Sequence, residues 1–318
     1  MIAVFSKGIL EPLTLSLLVF KILGFGDQAC HLLCLMGEVE KAMVKVDRCL
    51  KVTEVIQENL EGENLKEGEQ WPKTGELKFK KTVAKYRPGT QDVLRELDLT
   101  IKGGEKVGVV GRTGAGKSTL SMAMTRIIEL TSGSIEIDSK DVSKMALPDL
   151  RSKITIIPQD PVLFKGTLRM NLDPAEEQKD EVIIDLLKRA NLGKMIEEDK
   201  EGINMQISEG GSNLSSGQKQ LICLCRAALK RNQIVILDEA TSNIDVITEQ
   251  HVQQLIHSEF KDCTMITIAH RLNTIMSSDK ILVMDQGQVA EFDSPEVLKK
   301  NEKSEFRRLL KSIEKKEK

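Results

Sequence analysis

Two short stretches bring together residue types that phosphate chemistry needs. In "GRTGAGKST" (111–119) the pattern G-x-x-x-x-G-K-[ST] follows the apolar run "KVGVVG". It precedes a helical pattern with Leu120, Ala123, Met124, Ile127 and Ile128 on one face. A glycine-rich turn between strand and helix presents consecutive backbone N–H groups that cradle phosphate oxygens. Gly111, Arg112, Thr113, Gly114, Ala115, Gly116 and Thr119 are the candidate loop residues, with Lys117 reaching the β/γ oxygens and Ser118 holding Mg²⁺. In "IVILDEA" (234–240) four apolar residues make a buried strand that ends on Asp238 and Glu239. Asp238 suits Mg²⁺, and Glu239 suits a base that orients or deprotonates an attacking water. The pair of motifs predicts binding and hydrolysis of a nucleoside triphosphate.

Other residues fall near where such a site would need them. His270 ends the apolar run "MITIA". A lone His there is ordinarily structural, yet parallel-sheet enzymes collect their chemistry at the carboxyl ends of strands, the edge that Lys117 and Asp238 mark. Gln159 follows "KITIIP" and is a candidate to reach metal or water. Tyr86, the single Tyr, lies in "KYRPGT", where by itself it reads more as a turn residue than as an adenine platform. The stretch "NLSSGQKQL" (213–221) starts a helix, with Leu221, Leu224, Cys225, Ala228 and Leu229 at helical spacing. Its N-terminus offers free N–H groups and partial positive charge, and Ser215, Gly217 and Gln218 suit close approach to an anion. No nearby Lys or Arg precedes Ser215 to complete a phosphate site.

These residues require a scaffold of strands and helices. From Glu76 onward short β-rich runs alternate with amphipathic helices and end in the hairpin-like "KILVMDQGQVAEF". The pattern predicts an α/β fold, a mainly parallel sheet between helices with added antiparallel strands. Residues 36–60 carry a helical pattern, and "ENLEGENLKEGEQWPKTG" (58–75), acidic and aperiodic, reads as a linker. The expected divisions are a helical region 1–57, a linker 58–75, the α/β domain 76–312 and a basic tail 313–318. Near the tail, Phe306, Leu309, Leu310 and Ile313 share a helical face suited to packing.

The N-terminal "MIAVFSKGILEPLTLSLLVFKILGFG" is strongly apolar but interrupted by Lys7, Glu11 and Lys21. Its uncharged run from Pro12 to Phe20 is shorter than the roughly 20 residues a spanning helix wants. It also lacks the basic region and cleavage site of a signal peptide. In the whole chain of 318 residues, 40% are hydrophobic and 30% charged, enough for a globular core. A net charge of −2 and 3% aromatics argue against a nucleic-acid partner held by bulk charge or base stacking. The six Cys form no CxxC pair and read as reduced thiols acting as small hydrophobes.

In this order and spacing the motifs resemble the nucleotide-binding domain of ATP-binding-cassette (ABC) transporters, and "LSSGQ" decides the resemblance. In that family the LSSGQ helix binds the γ-phosphate of ATP held on a partner domain, so the anion comes with another domain's Lys. The resemblance implies ATP and Mg²⁺ as cofactors. It also implies Tyr86 as the adenine-stacking residue, Gln159 in the loop contacting the membrane domain, Ser242 and Asp245 in the loop crossing the dimer interface, and His270 as the γ-phosphate switch. More narrowly, "WPKTGELKF", "YRPGTQDVL", "IIPQDPVLFKGTLRMNLDP" and "IAHRLNTI" resemble the second nucleotide-binding domain of the C subfamily, the multidrug-resistance-associated proteins. The N-terminal stretch resembles the last membrane helix of such a protein and its cytosolic extension. That resemblance implies a chain that starts inside a membrane helix and does not transport alone.

The function implied by the resemblance is that of the ATPase part of a membrane transporter that exports organic anions, conjugates or drugs. Its nucleotide-binding domain would lie on the cytosolic side, with transmembrane domains and a second nucleotide-binding domain as partners. The alternatives are a regulatory domain of a channel-associated ABC protein and an inactive truncated product. Ser216 replaces the first Gly of the usual Leu-Ser-Gly-Gly-Gln and implies a weaker clasp on the partner's ATP.

Overall fold

A computed structural model describes residues 12–55, 57–66, 68–87, 89–238, 246–268 and 276–314. Its strands are β1 (Leu77–Ala84), β2 (Leu94–Ile101), β3 (Lys106–Gly111), β4 (Leu130–Ile137), β5 (Lys140–Asp141) and β6 (Ile154–Ile157). They continue with β7 (Gly166–Thr167), β8 (Gln206–Ile207), β9 (Ile234–Asp238), β10 (Thr264–Ile268), β11 (Lys280–Asp285) and β12 (Gln288–Asp293).

Runs of Val, Ile and Leu buried on both faces belong inside parallel sheets. Accordingly β3, β9 and β10 are interior strands of a six-stranded sheet ordered β12-β11-β3-β10-β9-β6, parallel throughout except for the β11–β12 hairpin. In β10, Ile268 stands opposite Val109 of β3 and opposite Asp238 of β9, so the chain leaves these strands at one edge. A second, antiparallel sheet runs β2-β1-β4-β5. The expected α/β architecture with antiparallel additions is the observed one.

The period-2 alternation of β9 divides the core. Ile234 and Ile236 join a cluster shared with Leu77, Phe79, Leu94 and Ile135 of the antiparallel sheet. Val235 and Leu237 join a second cluster, built with Leu168, Leu172, Leu187, Leu221 and Leu224 from the helices Leu168–Leu172, Asp180–Arg189 and Ser216–Leu229. A third cluster seats Phe306 and Leu310 of the helix Glu305–Glu314 on Ile281 and Val283 of β11, as their shared face predicts. The side chain of Ile313 lies outside the described residues. Burial pushes the Cys225 thiol up to about 12, so it stays protonated and fills space.

Residues expected as linker are partly seated. The Glu63 N–H donates to the Lys144 carbonyl at 2.7 Å. Trp71 is buried, its indole N–H donating to the Ile137 carbonyl at 3.2 Å. The Asp138 carboxylate collects the N–H groups of Lys73, Thr74, Gly75 and Glu76 and the Thr74 hydroxyl. Buried Trp71, partly buried Leu65, the Asp138 carboxylate and that of Asp149, which accepts from the Leu65 N–H at 2.8 Å, hold a polar segment that has no periodicity of its own.

Residues 1–59 form a unit separate from 60–318. Its described part is one helix, Pro12–Thr53, about 63 Å long at 1.5 Å per residue. The helix passes through Lys21 unbroken, because a charged residue does not interrupt helical hydrogen bonding, and it ends seven residues before the expected limit at 60. By length and composition it is apolar enough to cross a membrane, with mean hydropathy 1.4 in its most apolar stretch. Leu13, Phe20, Leu23 and Phe25 are exposed on it.

Candidate functional site

β3 delivers the chain into the phosphate-loop sequence, which turns into the helix Lys117–Met124. Gly116 precedes that helix at φ +99°, and a Cβ there would stand 3.2 Å from the Val93 carbonyl oxygen and Leu94 Cδ2. The left-handed turn and the close wall both call for glycine. The turn is closed by the Ala115 N–H, which donates to the Arg112 carbonyl at 3.1 Å. Lys117 is 7% exposed, and its ammonium donates to the carbonyls of Gly111 (2.8 Å) and Arg112 (3.1 Å). The charge is thereby folded over the loop that would hold the phosphates.

An open cleft of about 900 Å³ lies above this loop. Thr113, Gly114, Gly116, Lys117, Ser118 and Thr119 line its floor, with Asp238 from the end of β9 and Gln159 from the loop after β6. Tyr86 completes the rim; the residue is 54% exposed, and its hydroxyl lies 3.0 Å from the Thr119 hydroxyl. Candidates scattered over about 150 residues of chain therefore face one space. A hydroxyl, a carboxylate and an amide oxygen (Ser118, Asp238, Gln159) form an all-oxygen set, the kind that suits Mg²⁺ shared with phosphate. Val93 and Ile268 also line the cleft; the sequence carries no signal that singles them out. Glu239, His270, Ser242 and Asp245 lie outside the described residues.

The LSSGQ helix starts in a different cleft, which Ser215, Gln218 and Leu221 line with Lys194, Thr248 and His251. Neither Ser215 nor Gln218 lines the phosphate-loop cleft. Ser215 caps the helix: its hydroxyl oxygen accepts from the Gln218 N–H at 3.1 Å, and the Gln218 amide oxygen accepts from the Ser215 N–H at 2.9 Å. The S-x-x-Q spacing is the sequence signal for this reciprocal cap. It leaves the Ser215 hydroxyl proton and the Gln218 amide N–H groups outside the cap, as donors. Gly217 is buried against Thr248, and Ser216 is exposed.

A tether that sequence reasoning missed joins this helix to the Gln159 loop. Arg226 donates to the carbonyls of Asn171 (2.7 Å) and Val162 (3.0 Å). Asn171, 3% exposed, exchanges hydrogen bonds of 2.8 Å with the N–H and carbonyl of Phe164. These partners lie up to 64 positions apart, so no local pattern announces them.

Residues 94–242 match the ABC transporter family. The chain is 47% identical over 263 residues to "ATP-binding cassette sub-family C member 3" of Rattus norvegicus, an alignment covering 82% of this chain and 17% of that protein. It is 44% identical over 279 residues to "Probable multidrug resistance-associated protein lethal(2)03659" of Drosophila melanogaster, covering 86% and 20%. The chain thus spans about a fifth of the length of these relatives. Among solved structures, a bacterial Atm1-family ABC exporter with ATP bound is similar at TM-score 0.74 and 28% identity, covering 86% of this chain and 47% of that one.

Proposed function

Because the chain belongs to the ABC transporter family and carries a nucleotide-binding domain of the C-subfamily type, we propose that it binds MgATP in the phosphate-loop cleft and hydrolyses it to drive a transmembrane exporter. The observation that carries this reading is the convergence of Lys117, Ser118, Gln159 and Asp238 on one cleft rimmed by Tyr86. The loop N–H groups and the Lys117 ammonium hold the β- and γ-phosphates, and the Tyr86 ring takes the adenine. Ser118, Asp238 and Gln159 hold Mg²⁺, which neutralises charge on the phosphates as the γ-phosphoryl group is transferred. Glu239, next in the chain after Asp238, orients and deprotonates the attacking water, and His270 contacts the γ-phosphate.

The cleft lacks the LSSGQ donors, which lie at a separate one, so the full site needs a second nucleotide-binding domain to supply its own LSSGQ helix. Exposed Val162, Phe164 and Met170, around the Gln159 loop, suit docking of the transmembrane domains. The cargo class we propose is organic anions, conjugates or drugs.

Glu239→Gln tests the reading: it keeps MgATP binding and loses hydrolysis by at least about 10²-fold, the scale of a positioned base. Wild-type ATPase activity rises with the square of chain concentration while dimers are scarce, and rises further when a first nucleotide-binding domain is added. Near-normal turnover of Glu239→Gln removes Glu239 from the chemistry. Activity strictly linear in concentration, from a chain that light scattering finds monomeric with ATP, removes the shared site.

A further inference from the structure

One buried polar atom stands out, outside the lining of the cleft. Gln220 is 2% exposed, and its Nε2 is the one buried side-chain nitrogen or oxygen without a hydrogen-bond partner among the described residues. An orphaned buried amide is destabilising and calls for a reason.

Its place on the LSSGQ helix supplies one. Gln220 lies one turn after Gly217, which abuts Thr248, and one turn before Cys223, whose thiol faces the Val162 carbonyl. At about 100° per residue it falls about 60° from each, on the arc between them. The helix also packs against β6, and residues 158–161 connect β6 to Val162. That connection carries Gln159 into the cleft and is fastened at Val162 by Arg226. The backbone carbonyls of 158–161 accept no hydrogen bond from any described residue. An unused donor therefore sits one helical turn before Cys223, which faces the Val162 end of the segment whose Gln159 lines the cleft.

We propose that Gln220 is a positioning residue for the nucleotide response. Its side-chain N–H is held in reserve in the structure described and is taken up by a main-chain carbonyl of Pro158–Pro161 when Gln159 engages bound MgATP. A second link between the LSSGQ helix and the Gln159 loop, beyond the Arg226 tether, is thereby made only in the nucleotide-bound state. The inference rests on the MgATP reading above.

The test is Gln220→Met in the full chain in detergent, with matching shape and no donor. Without nucleotide the variant melts about 2–4 °C higher than wild type, because the orphan is gone. Its MgATP affinity by calorimetry falls about tenfold, the effect of one hydrogen bond made only in the bound state. Hydrogen exchange of residues 158–164 slows with MgATP in wild type and not in the variant. A variant that fails to fold, or that melts at or below wild type, means the amide already has a partner and overturns the proposal. Unchanged MgATP affinity, or absence of added protection in wild type, overturns it too. A wild-type chain that binds no MgATP overturns the underlying reading with it.

Discussion

Gly217→Ala measures how closely the LSSGQ helix is seated on its neighbour. A Cβ at 217 would stand 2.5 Å from the Thr248 Cγ2 methyl and 3.3 Å from its Cβ and Oγ1. That is about 1 Å inside ordinary carbon–carbon contact. Thr248 belongs to the helix Val246–Glu259, and its β-branched side chain has few rotamers with which to turn the methyl aside. The helices must part or the first turn of the LSSGQ helix must shift, at a cost of about 1–3 kcal/mol. In a domain this large that lowers Tm by about 2–12 °C. Thr248→Ser removes only the colliding methyl and keeps the hydroxyl. Denaturant unfolding of wild type, both single variants and the double variant gives the coupling energy. We expect Thr248→Ser to restore at least half of the loss, with coupling of about 0.5–3 kcal/mol. Additive effects, with no rescue, would refute the contact as the cause.

Two hydrogen-bond sets, one local and one long-range, carry further predictions. Asn171→Leu leaves the Phe164 N–H and carbonyl and the Thr167 carbonyl without their partner. It should cost about 3 kcal/mol, read as a lower denaturation midpoint at unchanged slope; an unchanged midpoint contradicts the bond network. At Asp138 burial acts to raise the carboxyl pKa, but hydrogen bonds from the Thr74 hydroxyl and from the N–H groups of Thr74, Glu76 and Gly75 outweigh it and hold the value below normal. A depressed carboxyl contributes stability that is present above its unfolded value, about 3.9, and is lost as pH falls through the lower folded value. Asp138→Asn should therefore cost about 1 kcal/mol at pH 7, modest because the group is partly exposed. The difference should vanish in acid below that window, and one that persists undiminished at pH 2 would mean that the charge is not what the turn uses.

What the residues disclose on their own is local. The phosphate loop is nine consecutive residues whose glycines and Lys117 define both the turn and the charge. Asp238 ends a four-residue apolar run, and the strand edge follows from that run being buried on both faces. The start of the LSSGQ helix is legible from spacing, and its cap from Ser215 and Gln218 three apart. Other features depend on partners distant in sequence. Arg226 reaches back 64 positions to Val162, and Asp138 gathers N–H groups from 62–65 positions earlier. No periodicity encodes such pairs, which is why residues 63–75 read as linker although Trp71 is buried. The orphaned amide of Gln220 is equally invisible, since a Gln in a helix start gives no sign of what it lacks. The single long helix at Pro12–Thr53 exceeds what the apolar run suggests, because Lys21 is a break for hydropathy but not for helical hydrogen bonding.

The proposed function requires that the phosphate-loop cleft bind MgATP through Lys117. Calorimetric titration of MgATP into the full chain and into Lys117→Ala tests it most directly. We expect saturable binding at one site per chain in wild type and affinity at least about tenfold weaker in the variant, because the ammonium pairs with phosphate oxygens in the ground state. Equal affinity in the two chains, or no binding in wild type, would contradict the account.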